Sequence, residues 1–558
     1  MATERPVVVI VGGGWHTPDH YSKLTKALEA AGHEVHCPSH PSMKQEKPYR
    51  CPKSSSPNSV DMLELWQQVG VAALIGLTSH WTYFIHGEHD LAAAKIAGAH
   101  IVAAIFIAYL KRQYESLTIR QAAVECLAID AAYAAALFSS ILFFRLFCSP
   151  LRHVPGPLHL RFTKLTHMLD IAHRRNYEIL HDLHLKYGDV VRTGPNEVTV
   201  FGLEAYSQVH GPQSKCGRAA YYNIVHPMVS LDTTRDEEVH AYRPLEQAEP
   251  IIYSRAAELL NQLHKHESQS LNISAWLEYY TIDVMGLFGL TIDFNNLAEG
   301  EHPILGIYHM AHHLLGPLAA APWLKHLMME QRQNIIGHVL NDAEKNGGVE
   351  ANWNFVLGDF VLVIIAGSDP VCQILANMMY YLICKPENLA RIREELASID
   401  IKDYKALQHL PHSNAVIYET LRLNPAVPSA GLRLPPRGGM TINGIYIPDN
   451  TTIVTPQHSL MRGQLSFTIE GRTDDRYFEK PEEWAPERFT TRPELILNKN
   501  AFIPWTIEIR VAAACIFIEF DFDFAPGEDR TRIFTEATDF FTTTPGPLYL
   551  VLRSRENS

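Results

Sequence analysis

Charged residues at helical spacing are the first feature of this sequence that could carry out chemistry. Glu419 and Arg422 lie three positions apart, which places them on one face of a predicted helix, where such residues form an ion pair. A second acid, Asp369, lies in residues 366–370, which interrupt the apolar and helically spaced stretch Phe360–Ile383. Each feature alone occurs by chance in long helices, so its meaning depends on the elements around it.

The cysteines and histidines show no metal-binding pattern. The eight cysteines are scattered without a CxxC pair, and no HExxH motif organises the 29 histidines. Because a chain of 558 residues does not need disulfide staples, we expect reduced thiols facing the cytosol. Apolar residues make up 46% of the chain, which fits a globular core. The net charge of -13 and the lack of a basic stripe argue against a nucleic acid partner.

Residues 1–50 predict a short α/β unit followed by a linker. Val7–Val11 is a buried strand, Gly12–Pro18 a tight loop, Asp19–Ala31 a helix and His33–Cys37 a second strand. This order resembles the opening of an α/β-hydrolase, in which the glycine loop helps to build an oxyanion hole. The chain contains no GxSxG nucleophile elbow, so we interpret this unit as a hydrolase-like fragment without hydrolase activity.

Residues 60–148 predict membrane-anchor helices. Each of three apolar stretches is near the length that a tilted helix needs to cross a bilayer. The stretches are residues 69–84, 91–110 and 122–147. The positive-inside rule gives conflicting orientations, because Lys111 and Arg120 precede the third stretch while Arg145 follows it. One stretch would therefore only dip into the membrane, and a buried hairpin of soluble helices is the alternative.

Several motifs follow the apolar region in a fixed order. Ser149–Pro157 is a stiff proline hinge, and Gly188–Val200 predicts a β-hairpin around a Gly-Pro-Asn turn. Asn443 and Gly444 signal a type I′ turn, and the sequence PERF stands at Pro486–Phe489.

The ordered set of motifs resembles the cytochrome P450 family. A proline hinge, a helix with AGxD, an ExxR pair and PERF extend over residues 149–558, and the chain looks like a membrane-bound, fungal-type haem-thiolate monooxygenase. The resemblance implies a mainly α-helical P450 fold with small β-sheets. That domain would be preceded by the membrane helices and by the short α/β fragment.

The resemblance also implies roles for individual residues. Glu419 and Arg422 would join Arg488 in a buried charge triad that locks the haem-side helix to the following meander, which is a structural role. Arg433 stands where the family places an arginine on a haem propionate. A guanidinium group can bind such a carboxylate through two parallel hydrogen bonds. Asp369 would act as an acid in the proton path to bound oxygen, on the helix lining the distal pocket.

The cysteine that should ligate the haem iron is missing. Ala501–Trp505 resembles the start of the haem-binding loop, which continues in the family through glycines to a cysteine. Here Thr506–Arg510 follows at once and resembles the helix beyond that cysteine. Cys515 lies in the apolar run Val511–Phe520, so it is a weak candidate ligand and a strong candidate core residue. We therefore assign no metal ligand from the sequence.

Three further departures from the family accompany the missing loop. Pro370 follows Asp369 where the family has a threonine that helps to deliver protons, and proline inside a helix costs about 3 kcal/mol or more. His240 and Arg243 are the expected remnants of a truncated helix that should bind the haem propionates. Residues 463–474 form an insertion without a family counterpart. Such changes are typical of exon-boundary errors or of a decayed gene.

The resemblance leaves two functions open. The first is insertion of one oxygen atom into a small apolar organic substrate of secondary metabolism, with haem b and with electrons from NADPH-cytochrome P450 reductase. This reading places the protein in the endoplasmic reticulum membrane with its catalytic domain in the cytosol. The alternative is a non-catalytic, degenerate member of the family, a membrane protein that lacks the axial cysteine. A serine hydrolase is excluded by the missing nucleophile elbow.

Overall fold

The computed structural model describes most of the chain in ranges separated by gaps. The described residues are 7–9, 22–31, 34–36, 59–87, 89, 92–115, 117–225, 249–290, 292–303, 305–306, 309, 353–429, 431–463, 476–503, 509–540 and 542–555. The chain divides into two compact units, Met1–Gln68 and Val69–Ser558.

The described part is mainly helical, as the sequence predicted. The α-helices are α1 (Ser22–Ala30), α2 (Ser59–Ser79), α3 (Ala93–Tyr114), α4 (Ile119–Phe143), α5 (Leu158–Phe162), α6 (Leu165–Ile171), α7 (Asn176–Tyr187), α8 (Leu203–His210), α9 (Glu249–Lys265), α10 (Ile273–Met285), α11 (Asn296–Glu299), α12 (Trp353–Cys384), α13 (Pro386–Leu396), α14 (Tyr404–Leu407), α15 (Pro411–Leu423), α16 (Gln457–Arg462), α17 (Ile509–Glu519) and α18 (Arg532–Thr535).

The strands are short and form small sheets. They are β1 (Val7–Val9), β2 (Glu34–His36), β3 (Val190–Gly194), β4 (Glu197–Val200), β5 (Gly217–Arg218), β6 (Leu271–Asn272), β7 (Arg433–Leu434), β8 (Met440–Ile442), β9 (Ile445–Ile447), β10 (Thr452–Val454), β11 (Phe520–Phe524), β12 (Thr538–Phe540), β13 (Thr542–Thr544) and β14 (Tyr549–Ser554). The largest sheet has the order β3-β4-β10-β7-β5, and a second sheet has the order β11-β14-β6.

In the first unit, β1 and β2 pair in parallel, with Val8 opposite Val35. Helix α1 lies between these strands in the sequence, so the predicted strand, helix, strand order is present. The glycine loop between β1 and α1 lies outside the described residues.

Two of the described helices are long and apolar enough to cross a membrane. They are α3 and the continuous helical segment Ile119–Cys148, which begins with α4. The first apolar stretch of the sequence, residues 69–84, lies in α2 and the π-helix His80–Phe84 after it and is not among them. Lys111 of α3 lies 2.7 Å from Glu125 and 3.0 Å from Glu115. The pair with Glu125 ties the end of α3 to α4. It leaves the conflict in orientation unchanged, because the positive-inside rule counts Lys and Arg and not net charge.

The proline hinge is anchored to the edge of the largest sheet. The Arg192 amide donates to the Pro155 carbonyl at 2.7 Å, and a Cβ placed on Gly156 would lie 2.3 Å from the Arg192 carbonyl oxygen. The side chain of Arg192 donates in turn to the carbonyl of Arg145 at 3.1 Å. This close approach of two backbones requires glycine at position 156.

We expect Gly156→Ala to lower the free energy of unfolding by about 1–3 kcal/mol, because the added methyl group must push the hinge away from β3. Chemical denaturation of the purified chain would measure the change. Gly217→Ala is the matched control, because a Cβ at that position meets nothing within 4 Å. Equal stability of the two variants would contradict the assignment of a tight contact at the hinge.

Helix α12 runs through the centre of the largest core cluster, where it packs against α10, α15 and α17. The sequence predicted an interruption at residues 366–370, but the helix continues through Pro370. Proline removes one backbone hydrogen bond, that to the carbonyl of Ala366. Burial of apolar side chains such as Ile374, Leu375 and Met379 on the following turns offsets this local cost.

Candidate functional site

The predicted charge triad forms a buried cluster. Arg422 of α15 donates to Glu419 through Nε and Nη2, at 2.8 and 2.9 Å. Arg488, in the 3-10 helix Pro486–Phe489, lies 3.3 Å from the same carboxylate. All three side chains are fully buried. The cluster therefore joins α15 to the segment that carries PERF.

Neighbouring groups compensate the second positive charge of the cluster. Carbonyl oxygens of Glu479 and Leu495 accept hydrogen bonds from Arg488 at 2.7 and 2.9 Å. The buried ring of Phe478 lies beneath both guanidinium groups, 5.1 Å from that of Arg422 and 5.8 Å from that of Arg488. An aromatic face at this distance attracts a cation. The geometry is that of a structural lock.

Asp369 lies in α12 and is almost completely buried. The Thr542 hydroxyl of β13 donates to its carboxylate at 2.5 Å. Burial raises the pKa of Asp369 well above the ordinary range, and the hydrogen bond from Thr542 only partly opposes this shift. Asp369 therefore holds a proton more tightly than an exposed carboxylate does. Thr542 gives it the hydroxyl partner that Pro370, the next residue of the chain, cannot supply.

Arg433 is a half-buried cation on β7. It lies opposite Ile453 of β10 on one side and opposite Arg218 of β5 on the other. Its Nε has no hydrogen-bond partner among the described residues. The nearby imidazole of His210 is neutral, because burial and then the charge of Arg433 lower its pKa to about 4. This environment suits an anion, as the resemblance implied for a haem propionate.

The buried cysteines Cys515 and Cys372 are poor candidates for the ligand of a haem iron. Cys515 faces the core from α17, and burial raises the pKa of its thiol to about 11. Burial also raises the pKa of Cys372 in α12 well above the ordinary range. Both thiols are neutral at physiological pH, whereas only the thiolate binds metal. The described residues contain no group of three metal-ligating side chains. The site thus offers a cation for a propionate but no thiolate, and it does not fit a haem-thiolate centre.

Three residues of the sequence prediction lie outside the described residues. These are His240, Arg243 and Trp505. Gly463, the first residue of the predicted insertion, is in direct contact with Arg476, which lies just beyond its end, since the Gly463 carbonyl accepts from the Arg476 amide at 2.8 Å.

Sequence reasoning missed Asp539 of β12. Its buried carboxylate accepts from the Ser429 hydroxyl at 2.9 Å and from the Tyr177 amide, at the start of α7, at 3.1 Å. Burial raises its pKa to about 6. No local motif marks Asp539 or Thr542, because their partners lie 110 and 173 residues away in the sequence.

A cavity of about 690 Å³ opens beside α12. Gln373, one helical turn beyond Asp369, lines it together with Tyr381. His181 and His458 face it from α7 and α16, and burial lowers the pKa of His458 well below its ordinary value. Cavities of this volume accommodate small organic molecules.

Comparison with known proteins agrees with the family suggested by the motifs. A family model described as Cytochrome P450 matches residues 324–551. The chain is 29% identical over 472 positions to cytochrome P450 monooxygenase orf5 of Eupenicillium brefeldianum, covering 75% of this chain and 94% of the relative. It is 28% identical over 553 positions to tryprostatin B 6-hydroxylase of Aspergillus fumigatus, covering 87% and 96%. It is 29% identical over 551 positions to cytochrome P450 monooxygenase lcsK of Purpureocillium lilacinum, covering 87% and 98%.

The alignments also contain gaps in this chain. The alignment with the Aspergillus fumigatus protein runs over 553 positions, yet it takes up only 87% of these 558 residues. The relative therefore carries residues that have no counterpart in this chain.

Proposed function

Since this chain belongs to the cytochrome P450 family, we propose that its gene serves the oxidation of a small apolar organic molecule in fungal secondary metabolism. The family is one of haem monooxygenases that receive electrons from a reductase. The observation that carries the proposal is the similarity along almost the whole length of several fungal monooxygenases. The cavity beside α12 has the size of a small-molecule site.

The proposal includes a place in the cell and an electron donor. The apolar helices α3 and α4 would anchor the protein in the endoplasmic reticulum membrane. The catalytic domain would then face the cytosol, where NADPH-cytochrome P450 reductase supplies electrons. Haem b would be the cofactor of the complete gene product, with Arg433 as a ligand of one propionate.

A second function is favoured for this exact chain by the missing thiolate. The sequence has no cysteine between Cys384 and Cys515, and Cys515 is a buried, neutral thiol. A thiolate ligand provides the electron density that favours O–O cleavage in this family. We therefore propose that this chain keeps the fold as a membrane protein without ligating haem iron.

The reduced, carbon-monoxide-bound difference spectrum of the full chain separates the two functions. We expect no shifted Soret band of thiolate ligation for the chain as it stands. We expect the band when residues 504–508 are replaced by the corresponding cysteine-containing segment of the Aspergillus fumigatus relative. The same graft with its cysteine changed to serine is the control. A thiolate band from the unaltered chain would refute the second function.

A further inference from the structure

We propose that α3 and α4 cross the bilayer together as one antiparallel hairpin, with the turn at residues 115–118 on one face of the membrane and both helix ends on the other. The proposal rests on the proposed membrane location of the chain. It adds which surfaces of the two helices face lipid and which face each other. With the catalytic domain in the cytosol, the turn lies on the lumenal side.

Both helices are long enough to cross and are apolar on their outer surfaces. α3 has 22 residues and α4 has 25, and at about 1.5 Å per residue each exceeds a hydrocarbon core of about 30 Å. The apolar stretch of α3 is 0% buried and that of Ile119–Cys148 is 11% buried. Large side chains such as Val102 and Leu127 are 67% and 68% exposed. The core helix of a soluble domain buries such side chains, so this surface fits lipid hydrocarbon.

Ionisable side chains pair with each other across the hairpin. His100 of α3 lies 2.5 Å from the carboxylate of Asp130, and this pair is neutral as a whole, which lowers its cost in hydrocarbon. Lys111, three residues before the end of α3, lies 2.7 Å from the carboxylate of Glu125 at the level of the headgroups. The later residue of α3 pairs with the earlier residue of α4, so the two helices are antiparallel.

Close contacts of small residues hold α4 against its neighbours. The Cys126 thiol donates to the Ala104 carbonyl of α3 at 3.1 Å. On α2, a Cβ placed on Gly76 would lie 2.4 Å from the Tyr133 carbonyl oxygen. Small residues that let two helix backbones approach are typical of helix packing in lipid. The polar backbone and side-chain groups therefore face the helix contacts, while the large apolar side chains face outwards.

The connection between the helices and the basic residues around them define the topology. Four residues, 115–118, separate α3 from α4, so α4 returns to the face from which α3 came. Five basic residues lie beside the helix ends and three beside the turn: Lys95, Arg145, Arg152, Arg161 and Lys164 against Lys111, Arg112 and Arg120. The positive-inside rule therefore favours the cytosol for the helix ends and for the domain that follows α4.

Cysteine labelling of sealed microsomes that contain the full chain tests the crossing. Tyr114, beside the turn, and Leu497, in the catalytic domain, are 84% and 54% exposed. We expect a sulfonated maleimide added from outside to label the cysteine of Tyr114→Cys at least about tenfold less than that of the control Leu497→Cys, because the bilayer excludes a charged reagent. Detergent should remove the difference. Peptide mass spectrometry separates each introduced site from the native cysteines.

Disulfide formation tests the packing of the two helices. Because the native Cys126 contacts Ala104, the substitution Ala104→Cys places two thiols within bonding reach. We expect a membrane-permeant oxidant to form this bond within one chain, and to form none in the control Val102→Cys, whose side chain faces away from α4. A bond between two chains through Val102→Cys would show that a second copy covers the outer surface in place of lipid, and would overturn the proposal.

Failure of the hairpin is distinct from failure of the membrane location. Equal labelling of Tyr114→Cys and Leu497→Cys in sealed microsomes, with the chain retained after alkaline carbonate extraction, would mean that the anchor does not cross and that only the hairpin is wrong. Release by carbonate would refute the membrane location and the hairpin with it. Labelling of Tyr114→Cys alone would uphold the crossing and overturn the cytosolic location of the catalytic domain.

Discussion

Glu419→Gln is expected to lower the free energy of unfolding by about 3–5 kcal/mol, the usual cost of removing one partner from a buried ion pair. The carboxylate of Glu419 is the only negative charge within 4 Å of the Arg422 and Arg488 guanidinium groups among the described residues. Glutamine keeps the shape but leaves two buried cations without an anion. Urea unfolding of the full chain, followed by tryptophan fluorescence, measures the loss.

The matched control for this prediction is Glu494→Gln. Glu494 also lies next to an arginine, Arg492 at 3.4 Å, but the two side chains are exposed to solvent. An exposed pair of this kind contributes about 0–1 kcal/mol. Similar losses in Glu419→Gln and Glu494→Gln would show that the triad does not hold α15 to the PERF segment.

Asp539→Asn is expected to remove a pH-dependent loss of stability. Burial raises the folded-state pKa of Asp539 from 3.8 to about 6, although the amide groups of α7, the Ser429 hydroxyl and the charge of Arg175 lower it in part. A raised acid pKa gives stability that is present below pH 3.8 and is lost as the pH rises through 6. Relative to the parent, the variant should gain about 2 kcal/mol between pH 4 and pH 7.

Parallel unfolding curves of parent and variant at several pH values isolate this effect, because every other titrating group cancels in the difference. Asp182→Asn is the control, since that carboxylate is exposed and pairs with the exposed Arg174 at 2.7 Å. A parent-to-variant difference that stays flat between pH 4 and pH 7 would mean that Asp539 is hydrated, and the β12–β13 hairpin would then be less tightly packed than the structure shows.

The local elements of this fold were predictable because their signals lie within a few residues. Asn443 and Gly444 adopt positive φ values of 49° and 75° between β8 and β9, as a type I′ turn requires. The predicted hairpin after Gly188 is present as β3 and β4. Glu419 and Arg422 pair because a helix brings positions three apart together.

The interruption predicted at Pro370 was wrong for a physical reason. The local cost of proline predicts a break in the helix, whereas α12 is buried in the core along the turns that follow Pro370. Buried apolar area on those turns outweighs one lost hydrogen bond. Tertiary packing therefore keeps α12 continuous at Pro370, where the local propensity of proline alone predicts a break.

The sequence by itself predicted the family resemblance, the mainly helical fold, the triad and the missing axial cysteine, because each depends on residue type and short spacing. Only the tertiary structure shows which side chains surround Asp369 and Asp539. It placed Thr542 on Asp369 and Ser429 on Asp539, and it left Arg433 without a described anionic partner. Such contacts join distant segments in a water-poor interior, where burial sets protonation and no periodicity in the chain records the pairing.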